Sequence, residues 1–119
     1  MSRFDQVPDD EKATSIKMRQ AVELFFELNT TMPLQYVTAF LAVAGNEGLT
    51  VTEYAKKLGI SPSLMTRHMA DIGERNRYHE PGYGLVEAYG EAKDRRTKRS
   101  RLTAKGQHLV GRLSDALAK

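Results

Sequence analysis

Five stretches of the chain repeat apolar residues at helical spacing, and two short stretches alternate as strands do. The first helix is predicted from Asp9 to about Asn29, because residues 9–11 are all acidic and suit a helix N-terminus. Its apolar stripe is wider than a terminal helix of one small domain usually needs: Met18, Ala21, Val22, Phe25 and Leu28, with Leu24 and Phe26 beside them. This stripe is therefore a candidate dimer contact, and the alternative that it only covers the chain's own core stays open.

The second and the last predicted helices are also recognised by their ends. The second begins after Pro33 and ends at Gly45 or Gly48. The last runs over residues 103–118 and is capped by Thr103. Each has an apolar stripe: Leu34, Val37, Leu41 and Ala44 in the second, and Leu109, Val110, Leu113, Ala116 and Leu117 in the last. The first and last helices together are the candidate dimerisation helices.

Two short helices lie between them and are joined by a tight turn. Thr50 and Glu53 have the spacing of a capping box, and Gly59 suits the C-terminal end of the same helix. Ser61 then caps the next helix, with Pro62 at its first position. Residues 50–75 therefore predict a helix-turn-helix, although a plain helical hairpin has the same pattern.

The second of these short helices presents a small polar face. Taking Met65, Met69 and Ile72 as its buried side, the helical period places Ser63 and Arg67 on the opposite side. Leu64 and Thr66 flank them. Such a face suits a DNA major groove, because arginine binds guanine bidentately and a hydroxyl reaches several base edges.

A β-hairpin is predicted after a turn-rich segment at residues 76–83. Residues 84–89 and 98–102 both alternate, with Ser100 and Leu102 on one side of the second strand. Before the first of the two short helices, Leu49 to Val51 could form a strand, but this segment is too short for more than a small one. The loop of the hairpin is strongly basic: residues 91–105 hold seven Lys or Arg against Glu91 and Asp94, whereas the whole chain of 119 residues has a net charge of only +3. Focused charge of this kind favours a polyanion partner, with a solvated hairpin as the alternative.

Composition excludes several other classes. The length predicts one domain, here residues 9–119 after a loose arm at 1–8. The absence of cysteine excludes disulfides, zinc fingers and thiol chemistry. No apolar run approaches the roughly 20 residues of a membrane span, and no signal peptide precedes the domain, so a cytoplasmic protein without a membrane partner is expected. His68, His79 and His108 fall on separate elements, so no enzyme, metal site or cofactor is expected.

The order helix-turn-helix, strand, basic loop, strand, helix is that of a winged helix, and its details resemble the MarR family (multiple antibiotic resistance regulators). In the hairpin, Gly-Leu-Val-Glu at 84–87 is followed by Asp-Arg-Arg at 94–96 and Leu-Thr-x-Lys-Gly at 102–106. Upstream, residues 52–61 and the pair Thr66-Arg67 look like that family's helix-turn-helix. The resemblance covers about residues 34–115. It implies a mainly α fold with a small β-hairpin: a winged helix-turn-helix, with its wing at about 84–102, flanked by N- and C-terminal helices.

The resemblance further implies a homodimeric transcription regulator that binds a pseudo-palindromic double-stranded operator. The recognition helix would contact the major groove and the wing the minor groove, while Asp94 would brace the wing. Sensing of an unidentified small-molecule effector, in a cleft between the dimerisation helices and the winged helix, stays open, and no residue indicates a particular ligand. The residues implied are Ser61, Ser63, Leu64, Thr66, Arg67 and His68 in the recognition helix; Arg95, Arg96, Lys98 and Arg99 in the wing; and Met18, Val22, Phe25, Phe26, Leu113 and Leu117 in the dimer interface.

The sequence departs from the family pattern in three places. Residues 76–83 are an insertion, which is expected to lengthen the recognition helix or the wing. Ala88 stands where a basic residue usually follows Gly-Leu-Val-Glu. The sequence ends at Lys119, before a long C-terminal dimerisation helix would end, so the first helix is expected to carry more of the interface. Two other functions stay open on the sequence: a winged-helix module that binds proteins, and an architectural protein that binds DNA without sequence preference.

Overall fold

The computed structural model of the protein describes residues 7–74, 80–90, 93 and 97–118. These residues form helices and one antiparallel hairpin in the predicted order, which confirms the mainly α fold class with a small β-hairpin. The elements are α1 (Asp9–Phe26), α2 (Leu34–Gly45), α3 (Val51–Leu58), α4 (Pro62–Ile72), β1 (Val86–Gly90), β2 (Lys98–Leu102) and α5 (Ala104–Ala118). No helix in these ranges has the length and apolarity that crossing a membrane would require.

The ends of α3 and α4 are formed as the sequence predicts. The Glu53 amide donates to the Thr50 hydroxyl oxygen at 3.2 Å, and the Thr50 amide donates to the Glu53 carboxylate at 3.0 Å, which is a complete capping box. Gly59 ends α3 with a φ of +69°, in the left-handed region that favours glycine. The Leu64 amide donates to the Ser61 hydroxyl at 3.1 Å, so α4 starts at its predicted cap.

The helix α1 ends three residues before the predicted boundary at Asn29. The Asn29 side-chain oxygen accepts a hydrogen bond from the Thr31 amide at 2.8 Å, which turns the chain away from the helix. Pro33 then starts α2 as its N-cap. The early end follows from side-chain competition for backbone donors, since asparagine offers an alternative to the helical hydrogen bond.

The strands pair in a simple antiparallel register, with Val86 opposite Leu102 and Gly90 opposite Lys98. The base of the hairpin is also attached to the start of α3. The Ser100 amide donates to the Leu49 carbonyl at 3.1 Å, and the Gly48 amide donates to the Ser100 carbonyl at 2.8 Å. The segment before α3 thus forms an isolated bridge, Thr50 with Arg99, and no strand. These contacts hold the wing against the helix-turn-helix.

The hydrophobic core lies where α2, α3 and α4 meet, and it continues to α1, α5 and the start of the hairpin. Phe25 of α1 packs edge-on against Phe40 of α2, with ring centroids 6.0 Å apart. Tyr54 is fully buried and donates its hydroxyl to the Asn46 carbonyl at 2.6 Å. Burial raises the pKa of this phenol. The largest fully buried side chains are Tyr54, Phe40, Met65, Ile72, Leu85 and Val43.

The inward face of α2 differs from the predicted stripe. Leu34 and Leu41 are 72% and 45% exposed, whereas the core takes Ala39, Phe40 and Val43. The polar residues Gln35 and Thr38 lie on the outward face with Leu34 and Leu41. They mark this face only weakly, because most of the residues around them are apolar. Tertiary packing therefore decides the orientation, and the ring of Phe40 occupies the inner position.

Because α4 ends at Ile72 and β1 begins at Val86, the described residues beside the insertion extend neither the helix nor the strands, and the predicted lengthening was wrong. Residues 75–79 lie outside the described part of the chain. On either side of them, the Gly82 amide donates to the Glu74 carbonyl at 3.0 Å, and the Leu85 amide donates to the Ile72 carbonyl at 2.8 Å. The chain therefore returns alongside the end of α4 and enters β1 directly.

Candidate nucleic-acid interface

The helix α4 buries the predicted side and exposes the predicted polar edge. Met65, Met69 and Ile72 are buried in the core. The exposed side chains lie on the N-terminal half of the helix, at Ser61, Ser63, Leu64, Thr66 and Arg67. A short helix with an exposed, small and mostly polar edge suits the dimensions of a DNA major groove.

The exposed groups of this edge differ in what they offer to a ligand. Arg67 forms no ion pair with the described part of the chain, so its guanidinium is available for an external acceptor. The Thr66 hydroxyl instead donates to the Pro62 carbonyl at 2.9 Å. Its hydrogen is therefore already used within the helix, and its methyl group remains for outside contact.

His68 is a correction to the predicted edge. Its side chain is only 9% exposed and packs edge-on against Tyr36 of α2, with ring centroids 5.4 Å apart. The Tyr36 hydroxyl donates to the carboxylate of Asp71, one turn after His68. The Nε2 atom of His68 is buried without a hydrogen-bond partner among the described residues. His68 therefore belongs to the packing between α2 and α4 and is withdrawn from the DNA-contacting set.

The strand β2 supplies three basic side chains to the described part of the wing, and Lys93 of the loop is exposed as well. Lys98 is exposed at the start of the strand, next to the loop. Arg101 is also exposed, but it lies over the ring of Tyr89 at 4.6 Å and pairs with Glu87 across the strands at 3.7 Å. Asp94, Arg95 and Arg96, predicted for the wing tip, lie outside the described residues.

Arg99 is directed toward the body of the protein, whereas the sequence predicted that it contacts DNA. Its Nη1 atom donates to the Gly48 carbonyl at 2.8 Å and lies 3.8 Å from the Glu53 carboxylate. Glu53 is the carboxylate of the α3 capping box, and hydrogen bonds from Thr50, together with the positive charge of Arg99, hold its pKa below the usual value. Arg99 thus links the wing to the N-terminus of α3. No local sequence signal reveals this, because its partners precede it by about 50 residues.

A groove of about 500 Å³ separates the C-terminal half of α4 from the wing. Its lining includes two carboxylates, Glu74 at the end of α4 and Glu87 on β1. Carboxylates repel anions, so the groove itself is unfavourable for an anionic ligand. The remaining lining residues are Met69, Ala70, Gly73, Val86, Ala88 and Ser100.

Two lysines outside the predicted set of site residues lie on α3, the helix that precedes α4. Lys56 and Lys57 are exposed in the last turn of α3. In a helix-turn-helix the first helix crosses the phosphate backbone. Two adjacent lysines at the end of that helix are therefore a sequence signal for a phosphate contact. Among the residues that the structure describes, no group of three or more His, Cys, Asp or Glu is placed to hold a metal ion.

These elements define a winged helix-turn-helix: α3 and α4 form the helix-turn-helix, and β1 and β2 form the wing. Neither models of protein families nor curated proteins match the sequence. Solved structures do match. The MarR family transcription regulator SP03579 has a TM-score of 0.61 and 15% identity, over 91% of this chain and 63% of its own.

Two further neighbours were solved with DNA. A mutant of S. aureus MepR bound to an oligodeoxyribonucleotide has a TM-score of 0.64 and 20% identity, over 92% of this chain and 73% of its own. A mutant of E. coli MarR complexed with operator DNA has a TM-score of 0.62 and 15% identity, over 91% of this chain and 67% of its own. The chain therefore has the fold of MarR family transcription regulators, and it spans about two thirds of the length of these neighbours.

Proposed function

We propose that the protein is a sequence-specific, double-stranded DNA-binding transcription regulator of the MarR type that acts in the cytoplasm as a homodimer. The observation that carries the proposal is the exposed edge of α4, which holds Ser63 and an Arg67 that forms no ion pair within the described residues. This edge stands on a helix that is capped by Ser61 and buried on its opposite side. Preorganised groups of this kind discriminate bases, because they need no rearrangement to reach base edges.

The proposed DNA contacts divide into base-reading and phosphate-positioning groups. Ser61, Ser63, Leu64, Thr66 and Arg67 would lie in the major groove. Arg95, Arg96 and Lys98 would contact the adjacent minor groove, with Asp94 as a brace of the wing; arginine is favoured in a narrow minor groove by its negative potential. Lys56 and Lys57 would contact phosphates. Arg99 is left out of this set because its guanidinium is directed to Gly48 and Glu53.

The proposed dimer is supported by the first helix. Residues 9–20 are all exposed except the half-buried Lys17, so the first three turns of α1 place no buried side chain in the core. An isolated helix of this length is marginal in water, and a second subunit would provide its missing packing. The predicted interface residues that are exposed on the protomer are Met18, Val22 and Phe26 of α1 and Leu117 of α5. Phe25 and Leu113 of the predicted interface are buried within the protomer, so they are core residues.

A salt titration separates this proposal from its two rivals. Binding would be measured by fluorescence anisotropy on a duplex selected from a random pool and on an unselected duplex, at several salt concentrations. A regulator prefers the selected duplex, and its affinity for both falls with salt as counterions are released. Equal affinity for both duplexes would favour an architectural role, and no salt-sensitive binding to either would favour a protein-binding module.

Arg67 gives the sharpest single test. Arg67→Ala should cost about 1–3 kcal/mol on the selected duplex and relax the base preference at one position of each half-site. The matched control is Arg67→Lys, which keeps the charge but loses the bidentate fork. It should keep the salt dependence of the original protein and lose the base preference. If both variants retain the selected sequence preference, Arg67 does not read a base.

A further inference from the structure

The N-terminal half of α4 carries an apolar side chain on its otherwise polar exposed edge. Leu64 is 37% exposed although it stands beside Ser63 and Arg67. Each exposed methylene forgoes roughly 0.8 kcal/mol of burial, so a ligand that covers Leu64 with an apolar group gains affinity. In a DNA major groove the C5-methyl group of thymine is the apolar group that a base edge displays.

Thr66 offers a second apolar group on the same edge. Because its hydroxyl donates to the Pro62 carbonyl at 2.9 Å, it has no hydrogen left to donate to a base. Its exposed methyl group is then the part of the side chain that can distinguish one base from another by contact. Ser63 differs, since no hydrogen bond within the described part of the chain engages its hydroxyl.

The helical period sets Leu64 and Thr66 on opposite shoulders of the edge. Two residues at about 3.6 residues per turn are separated by roughly 200° around the axis. Ser63 and Arg67 lie between them. The Thr66 shoulder is the one toward the wing, because the groove between α4 and β1 is lined by Met69 and Gly73 on that side. The two apolar groups therefore face opposite walls of any groove that α4 enters.

We propose that Leu64 and Thr66 are specificity-determining residues that read thymine C5-methyl groups on either side of the base contacted by Arg67. The preferred half-site then holds thymines, one on each strand, flanking a guanine. This inference rests on the proposed DNA-binding function and adds the base chemistry that the site selects.

The test replaces thymines in the selected duplex one at a time by deoxyuridine, which pairs identically and lacks the methyl group. At a contacted position the original protein should lose roughly fourfold in affinity, as expected for one buried methyl group. At positions outside the contacted bases the replacement should change nothing. Circular dichroism checks that the protein variants used in the next step keep the helix content of the original protein.

Two variants assign the contacts. Leu64→Ala should bind thymine and uracil duplexes equally at one position of each half-site and leave the other position sensitive. Thr66→Ser keeps the hydroxyl and its bond to Pro62 and removes only the methyl group, so it should abolish the difference at the other position. Because Thr66→Ser changes one methyl group on an exposed surface, its effect is not explained by misfolding.

The outcomes separate the two levels of the hypothesis. A strong sequence preference together with affinities that ignore the uracil replacements overturns the thymine contacts and leaves the DNA-binding function intact. The assignment is also overturned if the ratio of the affinities for the thymine and uracil duplexes is the same in both variants as in the original protein. No preference for any duplex overturns the proposed function and this inference together. Binding of α4 to a protein partner, with loss of that binding in Leu64→Ala, would be the corresponding result for an interaction module.

Discussion

At the scale of single residues, Glu53 connects the two halves of the candidate site. Its carboxylate accepts hydrogen bonds from the amide and the hydroxyl of Thr50, both at 3.0 Å, and lies 3.8 Å from Arg99. These neighbours favour the charged form, with the hydrogen bonds from Thr50 as the larger cause, so the pKa of Glu53 falls below its ordinary value of 4.5.

This shift predicts a dependence of stability on pH. A carboxyl whose pKa is lower in the folded state contributes stability that is fully present above its unfolded pKa. For Glu53 the contribution is lost as pH falls below 4.5 and through the lower folded pKa. Glu53→Gln should therefore be less stable than the original protein at pH 7, and the difference should shrink below pH 4.5. Urea unfolding between pH 3 and pH 7 measures it, and a difference independent of pH would contradict the assignment.

Residues that interact within a few positions could be predicted from the sequence, whereas those decided by distant neighbours could not. The caps at Thr50 and Ser61 involve atoms three residues away, and both formed as predicted. The burial of His68 depends on Tyr36 of another helix. Leu64 and His68 border the buried face of α4 on the same side, and the period alone does not say which of them α2 covers.

At the scale of elements, the docking of α5 on the hairpin depends on a close approach of two backbones. Gly106 lies in the first turn of α5, and a Cβ atom added there would stand 2.1 Å from the Leu85 carbonyl oxygen. The Thr103 hydroxyl supports the same junction, since it accepts from the Gly106 amide at 3.0 Å and donates to the Gly84 carbonyl at 2.6 Å. The start of α5 is thus held against the segment that leads into β1.

Two alanine substitutions in α5 should have opposite effects on stability. Gly106→Ala should destabilise the protein by about 1–3 kcal/mol or more, because its methyl group displaces backbone. Gly111→Ala in the same helix is the control: its Cβ would meet nothing within 4 Å, and alanine is better in a helix by up to about 1 kcal/mol. Urea unfolding at one protein concentration compares them. Equal effects of the two changes would mean that α5 does not dock closely.

The ends of most helices and strands could be predicted from local signals. Which side of an element is buried, and how the chain folds back between elements, depends on contacts with distant residues. The helix α2 is the clearest example, since its apolar residues surround the axis and Phe40 rather than Leu41 entered the core. The insertion after α4 is another, because its turn-rich sequence does not disclose that Gly82 returns to Glu74. The same holds for Arg99, whose partners come from the far side of the helix-turn-helix.

At the scale of the whole molecule, the shape is strongly elongated, with extents of 62, 27 and 26 Å. The helix α1 reaches away from the body, and only its second half packs on the core through Ala21 and Phe25. Arg112 of α5 holds this half with two hydrogen bonds to Glu27, at 2.9 and 3.1 Å. A protomer of this form leaves an apolar line on α1, Met18, Val22 and Phe26, in solvent.

This line leads to a prediction about assembly. Met18, Val22 and Phe26 recur every four residues, so they lie on one side of α1, and Val22 is at its centre. In a two-fold dimer each substitution occurs twice. Val22→Glu should therefore place two charges in an apolar interface and weaken association at least a hundredfold, since unfavourable charge contacts there cost several kcal/mol. Gln20→Glu, which adds the same charge on the opposite side of the helix, should leave association unchanged.

Sedimentation velocity over a range of concentrations, combined with binding to half-site and full-site duplexes, tests both assembly and its consequence for DNA. Half-sites in a symmetric operator recur about 34–36 Å apart, so only the dimer contacts both at once. The Val22→Glu monomer should keep the modest half-site affinity, because α4 and the wing are untouched, and lose the gain on the full site. A folded Val22→Glu protein that sediments as a dimer would place the interface elsewhere. Phe25→Glu cannot make this distinction, because Phe25 is packed against Phe40 and its loss would unfold the protomer itself.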